Sequence, residues 1–164
     1  MRGRDRGVPE FISPTRGRLS FEEMFADITA YMNEEPEAEY KVIIGTDSQA
    51  RDETVFVTAV IVHRVGKGAR YYYQKQRRRK IESLRQKILF EASLSLNLAA
   101  RLVDRLTWNG KVEPNVEIHL DVGRGGETRD LIREVVGMVT GSGFDAKIKP
   151  ESYGASKVAD KHTK

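Results

Sequence analysis

The sequence contains no cysteine, which excludes disulfide bonds, thiolate-bound zinc, iron–sulfur clusters and a cysteine nucleophile. It also lacks any apolar run close to the ~20 residues that a membrane-spanning helix needs. Its first six residues are mostly charged, unlike a secretory signal, so we predict a cytoplasmic protein. With 39 % hydrophobic residues the chain is too apolar to be disordered. Its 164 residues suit one domain.

Acidic residues are absent from one stretch of the chain, and basic residues are absent from another. Residues 64–80 carry eight basic residues, five of them between positions 75 and 80, whereas residues 21–39 carry seven acidic residues. The acidic stretch is typical of a solvated helix face. The cationic cluster favours a polyanionic partner, and we predict nucleic acid, with a solvated hairpin loop as the alternative. The predicted nucleic-acid-binding residues of this cluster are Lys75, Arg77, Arg78, Arg79 and Lys80.

Hydrophobic periodicity predicts an α/β fold. Residues 1–18 have no hydrophobic period and are expected to form an extended arm. A capping box at Ser20 and Glu23 predicts the first helix, which Pro36 ends. We predict strands at 40–46, 54–64, 69–76, 116–121 and 144–149, and further helices at about 81–106, 127–140 and 154–163. This order predicts one domain, residues 19–164, with a mixed five-stranded sheet: three antiparallel strands, then two parallel strands, flanked by helices.

Four acidic residues occupy positions that one sheet edge could bring together. Asp47 and Asp121 lie at the carboxyl ends of the first and fourth predicted strands, where ligands of open α/β sheets bind. Two neighbouring carboxylates repel each other, and a hard cation with oxygen ligands relieves that repulsion. Glu91 interrupts the apolar face of the long helix, with Glu82 as its competitor, and Asp160 lies on the terminal helix. Each alone is equally typical of a turn, a cap or a solvated position.

The element order and these acidic residues resemble the ribonuclease H fold and its four-carboxylate site. More specific motifs extend the resemblance over nearly the whole chain from Phe11 onward. They are similar to the YkuK-like bacterial proteins, which are regarded as ribonuclease H-like. The motifs are Gly45-Thr46-Asp47-Ser48-Gln49, His119-Leu120-Asp121-Val122-Gly123, Gly126-Glu127-Thr128-Arg129 and Tyr153-Gly154-Ala155-Ser156-Lys157-Val158-Ala159-Asp160.

This resemblance implies a two-metal phosphodiester hydrolase that acts on RNA or on RNA-containing duplexes. Two Mg²⁺ or Mn²⁺ ions ~3.5–4 Å apart would activate a water molecule and stabilise the leaving 3′ oxygen. By the resemblance, Asp47 would bridge both ions, Asp121 and Glu91 would bind one of them, and Asp160 would bind the other. The absence of cysteine agrees with oxygen-ligated ions of this kind.

Two histidines and three basic residues are candidates for assisting the four acidic residues. His162 and, less strongly, His119 are hypotheses for proton transfer, because each lies two residues from one of the acidic residues. A hydrogen-bonded structural role is the commoner one for such histidines. Arg129 near the glycine-rich turn, and Lys157 and Lys161 on the terminal helix, are predicted to contact phosphates, with a solvated surface as the alternative.

Two further functions stay open beside the nuclease. The fold could bind nucleic acid or a protein without chemistry, or it could hydrolyse a small phosphorylated molecule. A nuclease should bind two divalent ions at a site that is lost in Asp47→Asn. A binding module should show a salt-dependent affinity that is indifferent to that change.

Overall fold

The computed structural model describes residues 10–108, 115–152, 158–159 and 161–163. The described residues form seven strands: β1 (Phe11–Ser13), β2 (Gly17–Leu19), β3 (Tyr40–Ala50), β4 (Glu53–Arg64), β5 (Gly68–Arg79), β6 (Asn115–His119) and β7 (Asp145–Lys147). Three helices accompany them: α1 (Phe21–Glu34), α2 (Leu84–Trp108) and α3 (Ile132–Gly141), the last preceded by a 3₁₀ turn at Arg129–Leu131. Residues 158–159 and 161–163 are also helical. None of the described helices is long and apolar enough to cross a membrane.

All seven strands belong to one sheet, in the order β2-β1-β5-β4-β3-β6-β7. β3, β4 and β5 form an antiparallel meander, and β6 and β7 then run parallel to β3. The predicted α/β class and mixed sheet are therefore confirmed. The number of strands differs, because five were expected.

The two additional strands lie where the sequence analysis expects an extended arm. β1 and β2 form a hairpin, and β1 pairs with β5 at the edge of the meander. Gly17, with a φ of 75°, adopts the left-handed conformation that a side chain would disfavour. Each strand has only three residues, which is too short for an alternating pattern to be visible in the sequence. Residues 1–9 of the predicted arm lie outside the described residues.

Two central strands are longer than predicted. β3 continues to Ala50, so that Asp47 lies inside a strand and pairs with Val57 rather than following the strand end. β5 continues to Arg79, which places most of the cationic cluster in a strand instead of a loop. In both strands the cross-strand backbone hydrogen bonds continue beyond the apolar residues. Such bonds cannot be predicted from the hydrophobic pattern of the side chains.

The core lies mainly on one face of the sheet, which we call the α2 face. Ile44, Val60 and Tyr72 project from it and pack with α1 and α2. The capping box of α1 is confirmed: Ser20 Oγ accepts from Glu23 N at 3.1 Å, and Glu23 Oε1 accepts from Ser20 N at 2.8 Å. The opposite face, which we call the C-terminal face, carries a smaller cluster of Val57, Ala59, Tyr73, Val158 and Ala159.

Candidate metal centre

Asp47 and Asp121 lie at corresponding positions on neighbouring chain segments. The parallel register between β3 and β6 ends with Gly45 opposite His119, so two further residues along each chain lead to Asp47 and Asp121. After β6, Leu120 N donates to Lys147 O at 2.9 Å, and the chain then bends at Asp121. The parallel order of the strands therefore brings these two acidic residues to the same end of the sheet, as predicted from the sequence.

Glu91 reaches the same end of the sheet from α2. Ser48 Oγ donates to Glu91 Oε2 at 2.5 Å, and one helical turn further on the hydroxyls of Ser95 and Thr46 hydrogen-bond at 2.7 Å. These two contacts fix α2 against β3. Glu82 precedes α2 and is exposed. The structure thus places Glu91, and not Glu82, beside the strands.

The Asp47 side chain lies on the C-terminal face, opposite to its neighbours. Thr46 and Ser48 contact α2, and successive side chains of a strand point to opposite faces. Asp121 lies in the bend after β6 and lines the same small cavity as Glu91, Thr46 and Ser95. Glu91 and Asp121 therefore border one cavity, and Asp47 approaches the same end of the sheet from the other face of β3.

Negative charge is crowded at this end of the sheet. Glu91 is only 6 % exposed, and burial is the main cause that raises its pKa to about 8. The hydrogen bond from Ser48 opposes this change in pKa, whereas the charges of Asp47 and Asp121 reinforce it. A cation bound here would remove that penalty on the ionised form of Glu91.

A lysine that the sequence analysis does not single out already supplies one positive charge. Lys149 Nζ lies 2.8 Å from Asp121 Oδ1. This hydrogen bond is the largest cause that raises the pKa of Lys149, and the charges of Asp47 and Glu91 add to it. The parallel register of β6 and β7 is the feature that indicates this contact. His119 pairs with Lys147, so Asp121 and Lys149 each lie two residues further along the chain.

The chemistry of these side chains fits a hard divalent ion. Asp47, Glu91 and Asp121 offer only carboxylate oxygens, which Mg²⁺ and Mn²⁺ prefer, and the charges of Asp47 and Asp121 add to burial in raising the pKa of Glu91. Within the described ranges, no three His, Asp or Glu side chains already stand close enough together to hold a metal ion.

A sequence model of the family described as ribonuclease H-like matches residues 23–164. The chain belongs to the ribonuclease H-like family. It is also 37 % identical, over 166 aligned residues, to the "Uncharacterized protein YkuK" of Bacillus subtilis (strain 168), with 94 % of this chain and 96 % of that protein covered. The resemblance to YkuK-like proteins is thereby confirmed. No solved structure matches the chain.

Two of the predicted site residues of this ribonuclease H-like chain, Asp160 and Lys157, lie outside the described residues. His162 is described, and its ring stacks on Tyr73 with 3.7 Å between centroids and 12° between planes. Burial is the main cause that lowers the pKa of His162, and the charges of Lys161 and Lys75 lower it further. The His162 ring thus packs against β5. In the sheet, β5 lies two strands away from β3, which carries Asp47.

The predicted phosphate-binding cations of this ribonuclease H-like domain do not form one patch. Lys75, Arg77 and Arg79 alternate with Arg78 along β5, so the first three lie on the C-terminal face with Asp47. Arg78 lies on the α2 face, where its guanidinium stands 5.8 Å from the ring centroid of Phe90. Three further predicted cations are exposed: Lys80, Arg129 and Lys161.

Proposed function

We propose that this ribonuclease H-like protein is a metal-dependent phosphodiester hydrolase that acts on RNA or RNA-containing duplexes. The observation that carries the proposal is the meeting of Asp47, Glu91 and Asp121 at one end of the sheet. They are crowded enough there for the two aspartates to raise the pKa of the buried glutamate. Membership of the ribonuclease H-like family supports the same conclusion.

Two bound Mg²⁺ or Mn²⁺ ions would supply an activated water molecule and positive charge for the leaving 3′ oxygen. Asp47, Glu91 and Asp121 would hold these ions together with Asp160, which lies outside the described residues. Ser48 keeps the Glu91 carboxylate directed towards the strand end through its hydrogen bond. His162 would serve proton transfer only if the terminal helix brought it closer to the acidic residues than its stacked position on Tyr73.

The cations on the C-terminal face would hold the phosphate backbone. Asp47 pairs with Val57, and Val57 pairs with Lys75. Strands lie ~4.8 Å apart, so the backbones of Asp47 and Lys75 are ~10 Å apart on the same face. Arg77, Arg79 and Lys161 would extend this surface. A nucleic-acid backbone lying along these cations would pass close to the carboxylates.

The test is Asp47→Asn, with Asp52→Asn as the matched control because Asp52 is exposed in the turn between β3 and β4. Single-stranded RNA, duplex RNA, DNA and RNA–DNA hybrids are incubated with Mg²⁺, Mn²⁺ or EDTA. We expect metal-dependent cleavage of an RNA-containing substrate by the wild type and by Asp52→Asn. Asp47→Asn should lose more than the ~10–100-fold that removing an outer partner of a metal ligand costs. Failure of the wild type to cleave any substrate would overturn the proposal.

A second function, binding of nucleic acid or a protein without chemistry, is favoured by a different observation. Lys149 already neutralises Asp121, and the described carboxylates are not yet spaced to hold an ion. A binding module of this kind would leave every substrate intact. Its affinity for nucleic acid would fall with salt in the wild type and in Asp47→Asn alike.

A further inference from the structure

We propose that Lys149 is a resident counter-ion of the carboxylate site: its ammonium binds Asp121 in the metal-free protein, and a divalent cation must displace it. The inference rests on the proposed metal-dependent function and deepens it. It makes Lys149 a residue that sets the affinity of the site for its ions.

The ammonium occupies the coordination space of a proposed metal ligand. Lys149 Nζ contacts Asp121 Oδ1 at 2.8 Å, and the charges of Asp47 and Glu91 also reach it. A lysine ammonium is a compact point charge, so at this position it offsets the repulsion among the carboxylates much as a bound cation does. A metal ion on the same oxygen of Asp121 would be repelled by it.

The surrounding backbone brings the Lys149 side chain to this position. Lys149 N donates to Val122 O at 2.9 Å, which ties the chain after β7 to the chain after β6. Gly123 then leaves space for the lysine stem, because a Cβ at position 123 would lie 3.2 Å from Lys149 Cβ and 3.5 Å from its Cδ. The absence of a side chain at Gly123 therefore lets the stem of Lys149 cross the loop to Asp121.

The ion pair between Lys149 and Asp121 is weak enough for a divalent cation to displace the lysine. The side chain of Lys149 is 58 % exposed and that of Asp121 is 30 % exposed, and exposed ion pairs are weak because water screens them. A divalent ion that binds several carboxylates at once gains more than one such pair loses. Once displaced, the flexible lysine side chain can extend into solvent.

The experiment measures Mn²⁺ binding calorimetrically to the metal-free full chain, its Lys149→Met variant and a Lys147→Met control. Lys147 is the matched control because it carries the same charge two residues earlier and lies opposite His119 instead of Asp121. We expect Lys149→Met to bind Mn²⁺ ~3–5-fold tighter than the wild type, the change that loss of one competing exposed ion pair gives. Lys147→Met should stay within ~2-fold, since only long-range charge is removed.

A second measurement follows the unfolding temperature in EDTA and in saturating Mn²⁺. Lys149→Met should unfold at a lower temperature than the wild type in EDTA, because its carboxylates lack a counter-ion, and Mn²⁺ should remove that difference. Equal Mn²⁺ affinity in the wild type and Lys149→Met would overturn the inference. Weaker binding in Lys149→Met would overturn it as well, since Lys149 would then be positioning Asp121 for the ion.

These outcomes are separable from those of the proposed function. If Lys149→Met binds Mn²⁺ more tightly but no substrate is cleaved, the hydrolase proposal fails and the inference about Lys149 stands. If cleavage requires metal but the two affinities are equal, only the inference fails. If Mn²⁺ binds to neither protein, both fail.

Discussion

At the scale of single residues, a buried hydrogen-bond network holds a histidine that lies close to the candidate site. Glu117 accepts hydrogen bonds from His119 Nε2 and Lys41 Nζ, both at 3.1 Å. Burial lowers the pKa of His119 despite this bond, so the ring is neutral at pH 7 and its Nε2–H is the donor. His119 Nδ1 is buried and has no hydrogen-bond partner among the described residues. The structural role weighed for His119 is the one that this geometry supports.

Glu117→Gln should destabilise the protein by about 1–3 kcal/mol at pH 7, since a buried bond to a charged group is lost. Burial alone would raise the pKa of Glu117, but the hydrogen bonds from His119 and Lys41 hold it below 4.5. The stabilisation is therefore complete above the unfolded-state pKa of about 4.5 and is lost as the pH falls through the folded-state pKa. Urea denaturation of the wild type and Glu117→Gln at pH 7 and pH 3.5 measures the difference. The exposed Glu37→Gln is the control, and an equal difference at both pH values would contradict the prediction.

At the scale of secondary-structure elements, the alternation of β5 determines which cations can serve the carboxylate site. Arg77 is already paired with Glu53 at 3.2 Å, and Arg78 faces the other side of the sheet above Phe90. Lys75 is exposed and lies on the face of Asp47. The five cations of the sequence cluster are therefore unequal, and Lys75 is the one that the register relates most directly to Asp47.

Lys75→Gln should weaken RNA binding and lower the slope of log K against log salt by ~1, the effect of losing one phosphate contact. Arg78→Gln removes the same charge from the α2 face and should leave that slope unchanged. Fluorescence anisotropy with a labelled RNA at several salt concentrations measures both, and EDTA prevents cleavage during the titration. Equal slopes for the two variants would show that the strand face does not decide binding.

The strongest elements and the position of two carboxylates were predictable from the sequence because local patterns encode them. The capping box marks the start of α1, and parallel strands necessarily bring Asp47 and Asp121 to one end of the sheet. Glu91 was predictable as an interruption of an apolar helix face. The sequence could not decide between Glu91 and Glu82. That choice depends on where α2 begins and on the hydrogen bond between Glu91 and Ser48.

The rest depended on interactions between distant parts of the chain. The length of β3 and β5 comes from backbone pairing, which leaves no mark on side-chain periodicity. Lys149 looks like an ordinary surface lysine until the register of β6 and β7 aligns it with Asp121. Sequence patterns predict elements well, but a contact between loops that follow two different strands requires the register as well.

At the scale of the whole molecule, the hairpin of β1 and β2 is an integral part of the sheet. Phe11 is 1 % exposed, and its ring lies 6.3 Å from that of Phe21. Arg16, between the two strands, pairs at 3.4 Å with Asp27 of α1. Asp27 in turn accepts from the buried hydroxyl of Tyr72 on β5 at 2.5 Å. The hairpin therefore links α1 to the meander.

A chain shortened to residues 19–164, the boundary expected from the sequence, should be markedly less stable than the full chain. Phe11→Ala alone should cost about 3–5 kcal/mol, because it removes a fully buried aromatic ring. Ile12→Ala is the matched control, since Ile12 is only half-buried and should cost less. Chemical denaturation compares the full chain, the shortened chain and the two variants, and Mn²⁺ binding reports on the site. Since the hairpin contributes no carboxylate to that site, Phe11→Ala should lose stability while its Mn²⁺ affinity stays unchanged under native conditions. A shortened chain as stable as the full one would show instead that the hairpin is an appendage to a domain that folds without it.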